Sequence, residues 1–292
     1  MLLNQTLTLA ILKCKHTQKG VHDYYHSMSP GTVFVFPEAK GVVISGDIHG
    51  EFNELVFKCC VQYGMTDTVI IVAGDCGFGF EQPGYYEDVY NRNRGRLSKS
   101  NNWILFVRGN HDNPAYFNDY PIKHRRWMTV PDYSVVRVCG REILCVGGAV
   151  SVDRSYRMSH SAYHLPKQDE PLARNIYWAN EYPVFDADKL DAISENFAIG
   201  TIVTHTAPSF CELTSKGGLF AEMAIRDEDL TEDVKNERQV MDKILDYLTT
   251  HHHPLRHWFY GHFHQSWQAI DNEGIQYNML DIMKVKELRA KD

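Results

Sequence analysis

Five short apolar runs, each closed by glycine, aspartate, asparagine or histidine, constrain the fold of this chain more than any other feature. With their closing residues they span 41–50, 68–75, 103–112, 198–205 and 257–264. Apolar and β-branched residues follow one another in these runs without polar alternation, which is typical of strands buried on both faces of a sheet. In α/β proteins the loops at the carboxyl ends of such strands build ligand sites. The sequence therefore predicts that polar side chains from five strand ends meet at one site.

The side chains at these strand ends are of the kinds that bind metal ions. They are Asp47, His49, Asp75, Asn110, His205, His262 and His264. Carboxylate, amide and imidazole ligands without a thiolate suit Mn²⁺, Fe²⁺/Fe³⁺ or Zn²⁺ better than Ca²⁺. Each of these residues alone is also an ordinary turn, capping or core residue. Their joint occurrence is what favours a metal site.

The number of ligands indicates two ions rather than one, because a carboxylate such as Asp75 can bridge a pair. Two ions about 3.5–4 Å apart hold a phosphoryl oxygen and lower the pKa of a bridging water, so that a metal-bridging hydroxide attacks phosphorus in line. His111, beside Asn110, is placed to act as the general acid that protonates the departing oxygen, with Asp112 orienting its imidazole.

The bulk properties exclude several classes of protein. The chain has 292 residues, a formal charge of −7 and seven cysteines without CxxC spacing. Proteins that bind nucleic acid or anionic membranes non-specifically carry a basic face, which this charge argues against. No apolar stretch reaches the length of a membrane span, and the short apolar run at the N-terminus lacks the features of a signal peptide. We expect a cytoplasmic protein with reduced thiols and no membrane partner.

The chain is expected to form one domain over 1–292, with 1–40 as an N-terminal extension, since no repeat or linker divides it. Residues 152–183 are the least regular region and are interpreted as an insertion that contacts substrate. Arg154 and Arg157 in this region are candidate phosphate ligands, and solvated surface charge is the alternative. Apolar spacing and turn residues predict helices over 51–63, 86–99, 186–196 and 230–250, and hairpins over 135–146 and 267–280.

Taken in order, the polar blocks resemble the calcineurin-like metallophosphoesterase superfamily. The blocks are Asp47-x-His49, Gly74-Asp75, Gly109-Asn110-His111-Asp112, His205 and Gly261-His262-x-His264, within 46–264. The resemblance implies an α/β fold, a four-layer αββα sandwich of two mixed β-sheets flanked by helices. It also implies two metal sites that share Asp75. One is completed by Asp47, His49 and His264, and the other by Asn110, His205 and His262. His111 and Asp112 take the acid and orienting roles.

The first and third blocks are similar to the branch that contains serine/threonine phosphatases and dinucleoside polyphosphate hydrolases. In that branch an arginine matching Arg108 contacts phosphate, and a salt bridge to Asp112 or Asp119 is the alternative here. The second block departs from the branch, because Gly74-Asp75-Cys76-Gly77-Phe78-Gly79 lacks the Asp-Arg-Gly continuation. The third block departs as well, because Asp112 stands where the branch carries glutamate. These departures argue against protein phosphatase activity.

The sequence thus predicts a dinuclear-metal phosphoesterase that hydrolyses a phosphomonoester or phosphodiester, with Mn²⁺, iron or zinc as cofactor. The substrate is a phosphate ester, with a nucleotide and a phosphoprotein as the two classes considered. A catalytically silent interaction scaffold is the main alternative, although a scaffold is expected to lose ligands that this chain keeps. A nuclease is disfavoured by the acidic charge and the lack of a basic groove. Turnover of aryl phosphates with added Mn²⁺ separates the enzyme from the scaffold.

Overall fold

Two β-sheets pack face to face, and helices cover their outer faces. The computed structural model describes residues 25–28, 31–161, 170–211 and 217–289. Most of the predicted N-terminal extension and part of the predicted insertion therefore lie outside the described residues. In chain order the strands are β1 (Tyr25–Met28), β2 (Gly31–Phe36), β3 (Gly41–Ser45), β4 (Thr68–Ala73), β5 (Trp103–Val107), β6 (Lys123–His124), β7 (Trp127–Thr129), β8 (Ser134–Val138), β9 (Arg141–Val146), β10 (Thr201–Thr204), β11 (His257–Tyr260), β12 (Trp267–Ile270), β13 (Gln276–Met279) and β14 (Val285–Glu287).

The helices lie between the strands. They are α1 (Phe52–Phe57), which a π-helical turn continues over Lys58–Gln62, α2 (Pro83–Ser100), α3 (Arg154–Ser161), α4 (Ala187–Asn196), α5 (Gly217–Ala224) and α6 (Leu230–Thr250), with a short 3₁₀ turn at Pro114–Tyr116. Local chemistry sets their ends. Pro83 opens α2, Asn101 closes it in the left-handed conformation, and the Asp186 carboxylate caps α4 by accepting from Lys189 N at 3.0 Å.

Both sheets mix parallel and antiparallel neighbours. One has six strands in the order β14-β3-β4-β5-β7-β6, and the other has eight in the order β1-β2-β8-β9-β10-β11-β13-β12. The pairs β3–β4, β4–β5 and β10–β11 are parallel. The polar residues that follow these strands therefore leave each sheet at one edge.

Alternation along the strands divides the apolar residues among three cores. On β4, Val69 and Ile71 face the core between the sheets, while Ile70 and Val72 face α1 and α2. The eight-stranded sheet is arranged likewise, and its outer face packs against α4 and α6. Strands that contribute to a core on each face are apolar throughout, which explains the uninterrupted apolar runs. The four-layer αββα sandwich of mixed sheets is confirmed.

The predicted helices and hairpins occur within a few residues of their expected bounds. The region 152–183, predicted to be irregular, differs because it contains α3. The sequence of α3 has no apolar stripe that would reveal a helix. The edge strands β6 and β14 and the short strand β7 beside β6 were also not predicted. Within the described part of the chain, no helix is both long enough and apolar enough to span a bilayer.

Candidate metal centre

All seven predicted metal ligands converge at the edge where strands of both sheets end. β3, β4 and β5 of the six-stranded sheet contribute Asp47, His49, Asp75 and Asn110, and β10 and β11 of the eight-stranded sheet contribute His205, His262 and His264. Two groups with metal-binding potential form there, and within each group the ligand atoms all lie within 4.8 Å of one another. The first comprises Asp47, His49, Asp75 and His264, and the second Asp75, His205 and His262. Asp75 belongs to both groups.

In the first group, two imidazoles lie beside the carboxylate of Asp47. His264 Nε2 lies 3.1 Å from Asp47 Oδ2 and 3.0 Å from His49 Nε2. His49 Nδ1 is 3.9 Å from Asp75 Oδ2, which links this group to the bridging residue. Asp47 and Asp75 are buried, whereas the side chains of His49 and His264 are 26% and 40% exposed. The imidazoles therefore lie on the solvent side of the group.

The second group is more deeply buried, and Asn110 lies beside it. His205 Nε2 lies 3.0 Å from Asp75 Oδ1 and 3.0 Å from Asn110 Oδ1. The ring of His262 packs edge-on against His205, with centroids 5.0 Å apart. His205 Nδ1 is 2.8 Å from the carbonyl oxygen of Ala73, a contact that fixes the ring and points Nε2 at the other ligands.

Glycines that precede the ligands make this crowding feasible. A methyl group on Gly109 would lie 2.2 Å from Asp75 Oδ1, and one on Gly261 would lie 2.0 Å from Asp47 Oδ1. Each glycine thus leaves room for a ligand contributed by a different strand. The blocks Gly-Asn and Gly-His reflect this close approach between loops.

Four of the candidate ligands have a backbone conformation that non-glycine residues rarely adopt. The φ angles of His49, Asp75, His262 and His264 are 44°, 46°, 68° and 52°. Such left-handed residues cost free energy and persist where the surrounding structure holds them, which is common at functional sites. Their concentration here is independent evidence that this edge of the sheets is a functional site.

Electrostatics favour the ionised form of Asp75 in the centre. Burial opposes the charged form of Asp75, yet the imidazoles of His111 and His205 hold the pKa of its carboxyl well below its usual range. Burial likewise opposes protonation of His205, but Asp75 and Asp47 raise its pKa to about 9. A cation at Asp75 would compete with that proton. The donor set of carboxylates, imidazoles and one amide fits two cations that share Asp75.

His111 lies at the centre, but Asp112 bonds to backbone amides and not to the imidazole that it was predicted to orient. His111 Nδ1 is 3.7 Å from Asp75 Oδ2, and burial lowers the pKa of His111 to about 4. The Asp112 carboxylate accepts from the backbone amides of Cys76, Gly77, Phe78 and Gly109 at 2.7–3.0 Å. These bonds join the loops after β4 and β5, which favours a loop-positioning role over the predicted orientation of His111.

Of the three candidate phosphate-binding arginines, the structure brings only Arg157 to the centre. Its guanidinium contacts His111 Nε2 and pairs with Asp153 at 2.8 Å. Arg108 is buried and pairs with Asp132 at 2.9 Å, a partner that neither sequence alternative named. Arg154 pairs with Asp227 and Asp233 at 2.6 and 2.5 Å. These internal ion pairs argue against phosphate contacts by Arg108 and Arg154.

Two buried residues beside the centre were not predicted from the sequence. The Glu181 carboxylate accepts from the amide and hydroxyl of Ser151, and that hydroxyl accepts from Asn110 Nδ2. Burial raises the pKa of Glu181 to about 8. Glu181 lies in an irregular polar stretch, where no sequence pattern distinguishes it from a surface residue.

Comparison with known families identifies this arrangement. The profile of the calcineurin-like phosphoesterases matches residues 41–266, which contain every candidate ligand. The chain belongs to the calcineurin-like phosphoesterase family. Among curated proteins no match is found.

Two solved structures are similar to this calcineurin-like phosphoesterase. The protein TT1561 of Thermus thermophilus has a TM-score of 0.51 and 13% sequence identity, and the match covers 87% of this chain and 96% of that one. A dimetal phosphatase from Danio rerio has a TM-score of 0.43 and 12% identity, with 85% of this chain and 88% of that one covered. At 13% identity, the likeness to TT1561 shows the fold alone.

Proposed function

We propose that this calcineurin-like phosphoesterase is a dinuclear-metal hydrolase that cleaves a phosphomonoester or phosphodiester. The observation that carries the proposal is the position of Asp75 in both ligand groups. A carboxylate shared by two groups can hold two cations side by side. Such a pair would hold the phosphoryl oxygens and lower the pKa of water between them. The donor types support Mn²⁺, with iron and zinc as the other candidates.

Seven side chains would bind the two ions, and backbone amides orient the two carboxylates among them. Asp47, His49 and His264 with Asp75 would bind one ion, and Asn110, His205 and His262 with Asp75 would bind the other. The backbone amide of His111 donates to Asp75 Oδ1 at 2.8 Å, and that of His262 donates to Asp47 Oδ1 at 3.0 Å. These bonds fix both carboxylates before any ion binds, which limits the reorganisation that binding requires.

We propose that His111 protonates the leaving oxygen and that Arg157 contacts the phosphate. Burial lowers the pKa of His111 to about 4, which favours the neutral imidazole. A phosphate anion beside it favours the protonated form, since an opposite charge nearby stabilises the imidazolium. Arg157 lies against His111 and offers a guanidinium suited to phosphate oxygens.

The direct test measures turnover with metals supplied one at a time. Metal-free protein is assayed with p-nitrophenyl phosphate and bis(p-nitrophenyl) phosphate in the presence of Mn²⁺, Fe²⁺, Zn²⁺ or Mg²⁺. We expect Mn²⁺ to support hydrolysis of at least one ester, and Asp75→Asn to abolish it. A folded preparation that hydrolyses neither ester with any of these metals contradicts the proposal and favours the scaffold.

The physiological substrate is addressed by a second screen. Nucleotides, dinucleotides, cyclic nucleotides and phosphopeptides are compared under the same conditions, since a nucleotide and a phosphoprotein are the substrate classes considered. Cleavage of DNA or RNA in preference to these compounds would instead indicate a nuclease. The formal charge of −7 argues against that outcome. The cytoplasmic location stays a prediction from the sequence.

A further inference from the structure

An asparagine can bind a cation in only one of the two orientations of its amide, whereas an aspartate can bind one in either orientation. Its amide has one oxygen, which can bind a cation, and one NH₂ group, which cannot. Rotation by half a turn exchanges the two at almost no change in shape. Asn110 is buried, and its Oδ1 lies 3.0 Å from His205 Nε2, on the side of the second ligand group. Something must therefore keep the NH₂ group on the other side.

A hydrogen-bonded chain on the far side of the amide does this. Asn110 Nδ2 donates to Ser151 Oγ at 2.9 Å, and Ser151 Oγ donates in turn to Glu181 Oε2 at 2.7 Å. The backbone amide of Ser151 donates to Glu181 Oε1 at 2.7 Å. The exposed fractions of Asn110, Ser151 and Glu181 are 3%, 1% and 2%, so water does not compete for these bonds.

We propose that Ser151 and Glu181 are positioning residues that set the orientation of the Asn110 amide and thereby complete the second metal site. This inference rests on the proposed function. A serine hydroxyl alone would not select an orientation, because it can donate to Oδ1 as readily as it accepts from Nδ2. Burial favours the protonated form of Glu181, but a cation bound beside Asn110 favours the ionised carboxylate. The ionised carboxylate removes the choice, because its oxygens can only accept, and one of them takes the hydroxyl proton and leaves Ser151 Oγ as an acceptor. Nδ2 then faces Ser151, and Oδ1 faces the ligand group.

The loop that carries Glu181 is itself fixed. Arg108 Nη1 donates to the carbonyl oxygen of Glu181 at 2.5 Å, and the amide of Ala149 donates to the same oxygen at 3.2 Å. Arg108 is also held by Asp132 at 2.9 Å. Because Arg108 lies two residues before Asn110, the loop bearing the ligand and the loop bearing Glu181 are tied at two points. This gives the buried arginine a structural function that the sequence did not reveal.

The effect of Glu181→Gln is set by the backbone amide of Ser151, a donor that no side-chain substitution removes. The backbone amide of Ser151 still requires an acceptor, so the glutamine oxygen must face it and the glutamine NH₂ group must face Ser151 Oγ. That hydroxyl then has its proton free to donate toward Asn110, which favours Oδ1 turned to Ser151 and NH₂ turned to the metal site. A nearly isosteric substitution thus reverses the direction of the chain.

The test measures Mn²⁺ binding to metal-free protein by calorimetric titration, with bound metal counted after dialysis. We expect the wild-type protein to bind two ions. Glu181→Gln and Ser151→Ala are expected to keep one and to weaken the second about 10–100-fold, the usual effect of losing a group that orients a ligand. Thermal unfolding and circular dichroism establish that each variant is folded.

Glu237→Gln is the matched control. Glu237 is equally buried and also accepts from a backbone amide, that of Val150, and from a hydroxyl, that of Thr206, each at 2.5 Å. These partners do not bond to a ligand amide. We expect Glu237→Gln to bind two ions with wild-type affinity. An equal loss of the second ion in Glu237→Gln would mean that loosening of the loops explains the effect, which overturns the proposal.

A double variant distinguishes a change in the orientation of the Asn110 amide from a general disruption of the metal site. A carboxylate presents an oxygen to the metal whichever way it turns, and the reversed chain from Glu181→Gln supplies the donor that its other oxygen needs. Asn110→Asp combined with Glu181→Gln is therefore expected to bind the second ion more tightly than Glu181→Gln alone. Wild-type affinity in Glu181→Gln, or no recovery in the double variant, overturns the inference. Fewer than two ions in the wild-type protein would instead refute the proposed function.

Discussion

Gly109→Ala offers a sharp test of how closely the ligand loops approach. The added methyl group would lie 2.1 Å from the backbone nitrogen of Asp75, 2.2 Å from its Oδ1 and 2.8 Å from its Cα. To relieve the contact with Oδ1 even to 3.0 Å, the two groups must separate by about 0.8 Å. Much of this contact is with backbone, so a side-chain rotation cannot relieve it. The loop after β4 or the loop after β5 has to move.

The size of that movement sets the expected loss. Functional geometry is held to within about 0.5 Å, and a misplacement of about 1 Å costs on the order of 10²-fold in rate. Overpacking a rigid site also destabilises a fold by about 1–3 kcal/mol. We expect Gly109→Ala to retain the fold, to lose metal affinity and to lower turnover by about two orders of magnitude.

Gly95→Ala is the matched control for this substitution. Gly95 lies exposed within α2, and a methyl group there would meet nothing within 4 Å. Alanine in an exposed helix interior is more favourable than glycine by about 0.5–1 kcal/mol. Bound metal, turnover and thermal unfolding are measured for both variants. If Gly109→Ala binds two Mn²⁺ ions and turns over like Gly95→Ala, the close approach between Asp75 and the Gly109 loop is refuted.

Three further predictions concern the centre and the ion pairs beside it. His111→Ala is expected to lower turnover about 10²–10⁴-fold while metal content is retained, and equal turnover on an alkyl phosphate with a poor leaving group would contradict its role as acid. Arg157→Met is expected to raise KM about tenfold with metal content unchanged, since one phosphate contact is removed, and an unchanged KM would argue against that contact. Hydrogen bonds from Arg154 lower the pKa of Asp227 to about 2, so the pair stabilises the fold above about pH 4 and ceases to do so as the pH falls toward 2. Asp227→Asn should therefore reduce the free energy of unfolding by up to about 2 kcal/mol near pH 6 and by little at pH 2, whereas a difference independent of pH would contradict this.

The buried strands and the candidate ligands could be predicted from the sequence because both depend on local patterns, and the resemblance of the polar blocks implied the sandwich. Buried strands are apolar throughout, and the ligands follow them directly in the chain. The end of β4 illustrates this, since Val69 to Ala73 serve cores on both faces and Asp75 comes two residues later. Turn residues and apolar spacing likewise placed α2, α4 and α6.

Features that depend on contacts across the chain were not predictable in the same way. Arg154 and Asp227 are separated by 73 residues, and Glu181 and Ser151 by 30, without a pattern that pairs them. Arg108 follows an apolar strand beside the ligand block, a position that suggests a substrate contact. Its partner Asp132 becomes apparent only when the loops fold together. The edge strand β14 is similar, because its pairing with β3 supplies what its short sequence does not indicate.

The central claim is that two cations share Asp75, and diffraction from Mn²⁺-soaked crystals at the manganese edge tests it most directly. We predict two anomalous peaks about 3.5–4 Å apart, with Asp75 between them. Asn110 Oδ1 should face the peak beside His205. A single peak, or two peaks too far apart for one carboxylate to reach both, would contradict the account.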